Sequence, residues 1–284
     1  MVPSATQEAP MSALPPHRWS QAPSADLAPF VDRLWGWSLP AGTPLPPLFP
    51  GTGSELFCHL ASRPQLADGH PVPRGHLLCP RRQTLQLGAP GPQQLLAIRF
   101  KSGQLRHFTP WPFAELADTL LPLETLWPEE GETLLAALAQ KPAPAQQIAL
   151  VEASLRRQLA RCQQPHQAGE DALIQRLYYA PNTPIPRLAD GLGWSRRHLE
   201  RRFGQRFGVS PKQFARLARL QHSLRQLALE PQLELVQVAL ARGFCDQAHF
   251  SHDSLALTGL TPGQLRQQLL HGLHCYHTPS RQPE

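Results

Sequence analysis

Two glycines set 50 residues apart constrain this chain more than any other feature. "LADGLGW" places Ala189, Gly193 and Trp194, and "VALARGF" repeats the pattern as Ala239, Gly243 and Phe244. Each segment reads as a short helix closed by glycine, the residue that most readily adopts the left-handed conformation ending a helix. After Gly193, Ser195 is a good N-cap, and Leu199, Phe203 and Phe207 follow at i, i+4, i+8. After Gly243, Asp246 caps "DQAHFSHDSLALTG", residues 246–259. Between the two units, "SPKQFARLARLQHSLRQLALE" (210–230) predicts a long helix. Ser210 is its N-cap, Pro211 its first residue, and Leu217, Leu220, Leu224 and Leu227 line one stripe. Two helix, glycine turn, helix units joined by one long helix therefore fill the C-terminal part.

The first unit is strongly basic. Arg196, Arg197, Arg201, Arg202 and Arg206 stand against a single acid, Glu200. A solvated helix face normally mixes signs, so that opposite charges four apart support each other. Helical spacing puts Arg197, Arg201 and Gln205 opposite the apolar stripe, His198 beside them, and Arg202 and Arg206 along a flank. Residues 1–170 carry 13 Lys and Arg against 13 Asp and Glu, whereas residues 171–284 carry 14 against 8. The whole net charge of +6 thus lies in the second part, with Lys212 its only lysine. A basic part joined to a neutral one implies a polyanionic partner, and arginine suits bidentate contact with phosphate or guanine.

Proline marks the same division, with 24 of 32 before residue 171. Residues 1–25 read as loose. Short strands are expected at 54–60, 76–79, 84–88 and 94–100, punctuated by Gly and Pro in the manner of a small β-barrel or sandwich. "PFAELADTLLPLETLW" (112–127) then turns helical. An amphipathic helix runs from Pro144 to Cys162, with Ile148, Val151, Leu155 and Leu159 on one stripe. That stripe suits packing on its own domain and a dimer contact equally. The predicted class is α+β. A loose segment (1–25) leads into a β-rich domain (26–143), an amphipathic helix with linker (144–170), an all-α domain (171–272) and a tail (273–284).

Other chemistry is thinly represented. No apolar run approaches a membrane span and the N-terminus lacks an apolar signal region, so the expected location is the cytoplasm. Five scattered cysteines without a CxxC fit a reducing compartment. No nucleophile elbow, phosphate loop, HExxH or paired zinc cysteines occur, so neither an enzyme nor a cofactor is expected. In "HGLHCYH", His271, His274 and Cys275 fall at i, i+3, i+4 with His277 following, a spacing able to hold zinc or copper. The plainer reading is a polar tail. Cys58 and His59, and Cys79 with His76, fall on expected strands, where adjacent side chains point apart. They read as core cysteines with surface histidines, and Cys245 as structural. Trp35, Trp37, Trp111 and Trp127 read as core or pocket wall.

In order and spacing, "LADGLGWSRRHLERRF", "GVSPKQFARLARLQ", "ARGFCDQAHF" and "GLTPGQLR" resemble the AraC/XylS family of bacterial transcription regulators over residues 171–270. More loosely, "LLAIRFKSGQLRHFTPWPFAELADTLLPLETLW" is similar to the N-terminal sensor-type domain of one subgroup. The resemblance implies a sequence-specific DNA-binding regulator, an activator or a repressor, with a sensing or dimerising N-terminal domain. Its implied partners are double-stranded operator or promoter DNA, RNA polymerase, a small-molecule effector and a second copy of the chain, with no membrane partner.

The implied base-reading positions are Arg197, Glu200 and Arg201 in the first unit and Gln247, Ala248, Ser251 and His252 in the second. Arg196, Arg202, Arg206 and Lys212, with Arg216 and Arg219, are implied phosphate contacts and linker-helix surface. The sequence departs from the family at His252 (usually Arg), Ser254 (usually an aromatic core residue) and Leu255 (usually basic). The second unit is therefore expected to bind more weakly or through DNA shape. The alternatives are an architectural or ligand-independent DNA binder, an N-terminal domain that only dimerises, and a metal- or thiol-responsive regulator.

Overall fold

The computed structural model describes residues 17–141, 143–162 and 168–271. Six strands, β1 (His17–Gln21), β2 (Val31–Leu39), β3 (Ser54–His59), β4 (Gly75–Cys79), β5 (Gln93–Phe100) and β6 (Thr119–Pro122), form one antiparallel sheet ordered β1-β2-β5-β3-β4-β6. Alternation along the strands builds two apolar faces. Leu34, Leu56, Cys58, Leu77, Cys79, Leu96, Ile98 and Phe100 point to one. Trp35, Trp37, Leu39, Phe57, Leu78, Leu95 and Ala97 point to the other.

Helices α1 (Leu123–Leu126), α2 (Gly131–Ala139) and α3 (Pro144–Cys162) cover the first face, burying Leu134, Leu135, Leu138, Ile148, Val151 and Leu155. The stripe of α3 is therefore used within its own domain. Loop residues Leu45, Leu48, Leu85 and Leu87 close over the second face.

Several expectations change here. Residues 17–21 form strand β1 instead of a loose segment, and β2 was not anticipated. Residues 84–88 make only isolated bridges, Leu48 to Leu85 and Gln65 to Gly88. The stretch 112–127 contains a 3-10 turn at Phe113–Glu115, strand β6 and only the short α1. His59 and Cys58 do point apart, but both faces are covered, so His59 and His76 are buried, at 4% and 1% exposure, instead of lying on the surface. Cys245 is exposed.

The C-terminal part is helical: α4 (Ala168–Tyr179), α5 (Ile185–Asp190), α6 (Arg196–Phe207), α7 (Pro211–Leu229), α8 (Leu235–Ala241), α9 (Gln247–Thr258) and α10 (Pro262–His271). Gly193 and Gly243 turn the chain between the helices of each unit with φ of 66° and 75°. Leu173, Ile174, Leu177, Leu188, Leu199, Phe203, Phe207 and Phe214 form the core of the first unit. Leu217, Leu220, Leu224 and Leu227 carry α7 into the core of the second, with Val238, Phe244, Phe250, Leu265 and Leu269. Phe49, from the loop between β2 and β3, completes that second core at 4% exposure.

Further contacts join the two parts. Gln221 on α7 accepts hydrogen bonds from the Thr52 amide (3.1 Å) and hydroxyl (2.8 Å). The Arg106 guanidinium pairs with Asp171 in the first turn of α4. Gly208, at φ 71°, lies so close to the Phe113 carbonyl that a Cβ there would sit 2.5 Å from the oxygen. Gln221 is the long-range partner that reading α7 as a leucine stripe does not reveal.

Candidate nucleic-acid interface

Helix α6 begins where the Ser195 hydroxyl accepts from the His198 amide at 3.2 Å. A serine cap of this kind stabilises a helix by about 1 kcal/mol over alanine. Leu199, Phe203 and Phe207 turn inward at 0%, 1% and 3% exposure, which fixes the rotation of the helix. Arg197 and Arg201 are then presented to solvent, and neither is paired with an acid among the described residues. Arg201 lies 3.4 Å from His198 Nδ1, and the His198 ring packs edge-on against Trp194 at 5.0 Å. Glu200 accepts from the exposed Arg196 one turn earlier at 2.9 Å. Lys212, in the first turn of α7, is also exposed.

The flank behaves differently. Arg202 donates to Glu170 at 2.5 and 3.1 Å, and its guanidinium lies 6.0 Å from the Trp194 ring centroid. Arg206 approaches the second oxygen of Glu170 to 3.1 Å but lacks hydrogen-bond geometry. Burial and the neighbouring Arg106 push its guanidinium below the usual arginine range, while Glu170 and Asp171 oppose that shift. Glu170 and Asp171 thus hold one side of α6 and the facing N-terminal domain. Both fall in or beside the segment expected to be a linker. Acids in the first turn of a helix were the available sequence signal.

In the second unit, the Asp246 carboxylate accepts from the His249 amide at 2.7 Å and caps α9. Phe250, Asp253, Ser254 and Leu257 face inward. Gln247, Ala248, His252 and Leu255 are exposed. Ser251 donates to the Gln247 carbonyl at 2.9 Å, so its hydroxyl is already engaged by its own helix. Beneath α9, Asp253 receives Arg216 at 2.9 Å and Arg219 at 3.3 Å, and Arg219 also stacks 4.7 Å over Phe244. These two arginines, read from sequence as phosphate or surface groups, serve to brace α7 against α9. The fully buried Ser254 hydroxyl has no hydrogen-bond partner.

A second, smaller feature lies under the loops of the sheet's second face. Trp37, Leu45, Leu48, Phe57, His59, His76, Leu87, Gln93 and Leu95 line a cavity of about 20 Å³, room for roughly one water. The His59 and His76 rings stack at 5.2 Å. His76 Nδ1 lies 3.1 Å from the Pro73 carbonyl, which can only accept, so Nδ1 carries the proton. The Nε2 atoms of both histidines are buried and unpartnered. Burial pushes His59 down to about 3, helped by His76, and His76 down to about 4. Desolvation pushes the Cys58 and Cys79 thiols up to about 12, which makes a thiolate sensor unfavourable there.

The candidate metal ligands His274, Cys275 and His277, and the His271 side chain, lie outside the described residues. Among the described residues, no group of three His, Cys, Asp or Glu is arranged to hold a metal, and no helix is long and apolar enough to cross a membrane.

Residues 188–268 match the helix-turn-helix domain family HTH_18, and residues 20–122 match a domain of unknown function, DUF6597. The HTH-type transcriptional regulator GlxA of Rhizobium meliloti (strain 1021) is 35% identical over 99 residues, covering 34% of this chain and 30% of that protein. An uncharacterized HTH-type transcriptional regulator of Staphylococcus aureus is 28% identical over 90 residues, covering 32% of this chain and 12% of its own length. The chain therefore spans less than a third of the length of these curated relatives. ToxT from Vibrio cholerae shares the fold at a TM-score of 0.51 and 10% identity, covering 91% of this chain and 99% of ToxT. A ToxT structure bound to (E)-4-(8-methylnaphthalen-1-yl)but-3-enoic acid matches at 0.50 and 10%, covering 90% and 98%.

Proposed function

We infer, from the AraC-type helix-turn-helix family to which residues 188–268 belong, that this chain is a sequence-specific DNA-binding transcriptional regulator. One observation carries the reading. Arg197 and Arg201 are exposed and unpaired with acids on the face of α6 opposite its buried leucine and phenylalanines. A guanidinium so placed can donate two hydrogen bonds to guanine N7 and O6, a match worth about 1–3 kcal/mol of discrimination. Helix α7, 19 residues long, spans about 28 Å at 1.5 Å per residue. That length lets α6 and α9 enter successive major grooves, about 34 Å apart, on one side of a duplex.

Arg196 and Lys212 are the proposed phosphate contacts of the first unit. Arg202 and Arg206 serve instead to seat α6 on Glu170. Gln247 and His252 are the proposed readers of the second unit, and Glu200 orients Arg196. The N-terminal domain acts as the control element. Its contacts reach the first unit through Asp171 and Gly208, and the second through Phe49. A neighbour of the same fold was solved with a carboxylic acid bound, which supports small-molecule control here as well. Contact with RNA polymerase and pairing of two copies belong to the same proposal.

The test compares Arg201→Ala with Arg206→Ala in a salt-controlled mobility-shift series over single-base operator variants. Arg201→Ala should lose preference at one base step, about tenfold in Kd. Arg206→Ala should retain every preference and lower the melting temperature. Equal, sequence-blind losses from both would reject the assignment.

A further inference from the structure

Arg176, Tyr179, Asn182, Arg187, His222 and Arg242 line a cleft of about 470 Å³ between the two helix-turn-helix units. One wall is the end of α4 and the start of α5, in the first unit. The other is the end of α8, just ahead of the turn into α9, in the second. Asn182 ties the walls together. It packs against Gly243 and accepts from Arg219 at 3.4 Å. The floor is His222, on α7.

The charge in this cleft is of one sign. Three arginines line it and no carboxylate does. Arg176 and Arg187 are exposed and have no acid partner among the described residues. Arg242 is half-buried and donates only to a neutral acceptor, Gln226 Oε1, at 2.7 Å. Burial, followed by the influence of Arg242 and Arg225, pushes His222 down to about 4, so it is neutral at physiological pH. It offers a hydrogen bond without adding charge. Glu230 partly offsets Arg242, but the two exposed guanidiniums are left to water, and an anion that joined them would gain charge-assisted hydrogen bonds.

Position indicates which anion. The cleft lies at the junction between the two units, and a duplex that reached both α6 and α9 would span that junction. We propose that this cleft, at the junction of the two units, is a separate seat for the phosphate backbone of the operator, with Arg176 and Arg187 as its main contacts. The proposal rests on the DNA-binding reading. It assigns phosphate binding to residues outside both recognition helices, where sequence-blind contacts fix the register of the protein on the duplex.

The experiment uses the full chain and an operator duplex long enough for both units. Each phosphate contact contributes about 0.9 to the slope of log Kd against log salt. Arg176→Ala/Arg187→Ala should therefore reduce the change in Kd between about 50 and 200 mM salt by roughly tenfold. Its ranking of single-base operator variants should match the wild type. Uncharged methylphosphonate linkages at the central phosphates should weaken the wild type to the level of the double variant and leave the double variant unaffected.

An unchanged salt slope in the double variant, while Arg201→Ala still loses base preference, overturns the seat and leaves the regulator reading standing. Inorganic pyrophosphate that raises the wild-type melting temperature, but not that of the double variant, with salt slopes equal, also overturns the backbone assignment. It would give the cleft to a free phosphoester. A wild-type chain that binds no duplex overturns both readings.

Discussion

Arginine identity says little about arginine role in α6. Five guanidiniums leave one helix, yet Glu170 holds two of them and Glu200 engages a third, leaving Arg197 and Arg201 facing water without acids. Which two stay available depends on rotation about the helix axis, and that rotation was legible from Leu199, Phe203 and Phe207. The partners were not legible, because Glu170 is 32 residues from Arg202 and looked like linker.

His59 and His76 give a second residue-scale case, one with a pH signature. Both are neutral in the fold, with values near 3 and 4 against an ordinary 6.5. Below pH 6.5 the unfolded chain binds protons that the folded chain refuses, so stability falls as pH falls and is fully present above 6.5. Each histidine contributes a slope of up to about 1.4 kcal/mol per pH unit in the window between its folded value and 6.5. Glu55 is also buried, and Arg99 and Arg81 outweigh its desolvation to hold it below the usual carboxylate range. It contributes stability present above 4.5 and lost below, so it does not confuse the upper window. Denaturant unfolding between pH 7 and 5 should show the slope, and His59→Gln/His76→Gln should reduce it by roughly two thirds, leaving the share of His222, which burial also holds near 4. A wild-type stability independent of pH over that interval would contradict the buried neutral pair.

Among the elements, the helices were read far better than the strands, for a physical reason. A surface helix keeps one polar face, and its 3.6-residue period survives in the sequence, as in α3, α6 and α7. Strands β2 to β5 bury both faces, so "VDRLWGWSL" and "QQLLAIRF" show little alternation of polar with apolar residues. Conversely, "TLQLG" alternates but makes only isolated bridges.

Helix α9 is where the sequence departs from the AraC/XylS pattern it resembles. Leu255 is 46% exposed where a basic side chain would extend the cationic surface, and Ser254 is fully buried with an unpartnered hydroxyl where the resemblance leads one to expect an aromatic. Leu255→Arg should steepen the salt dependence of duplex binding by about 0.9 in slope and tighten binding at low salt. Fluorescence anisotropy over a salt series measures both, and an unchanged slope would mean that this side of α9 stays off the backbone.

At the scale of the whole molecule, the two parts share contacts that neither satisfies alone. The Thr52–Gln221 hydrogen bonds, the Arg106–Asp171 pair and the approach of Gly208 to Phe113 all cross between them. The Phe49 side chain crosses furthest, into the core closed by Leu217, Leu220, Phe244 and Phe250. Truncating a buried phenylalanine to alanine destabilises by about 3–5 kcal/mol. Phe49→Ala should therefore unfold α8 to α10 earlier than α4 to α6, a difference that hydrogen exchange resolves by segment. Equal protection in both units would mean that the second core closes without it.

One aromatic ring lent across the seam makes the halves poor interchangeable cassettes. Residues 168–271 grafted behind a foreign sensor would bring an open socket on α7, and the donor would need a loop of matching length to plug it. A chimera carrying residues 45–53 along with the helices should outlast one cut at the apparent boundary.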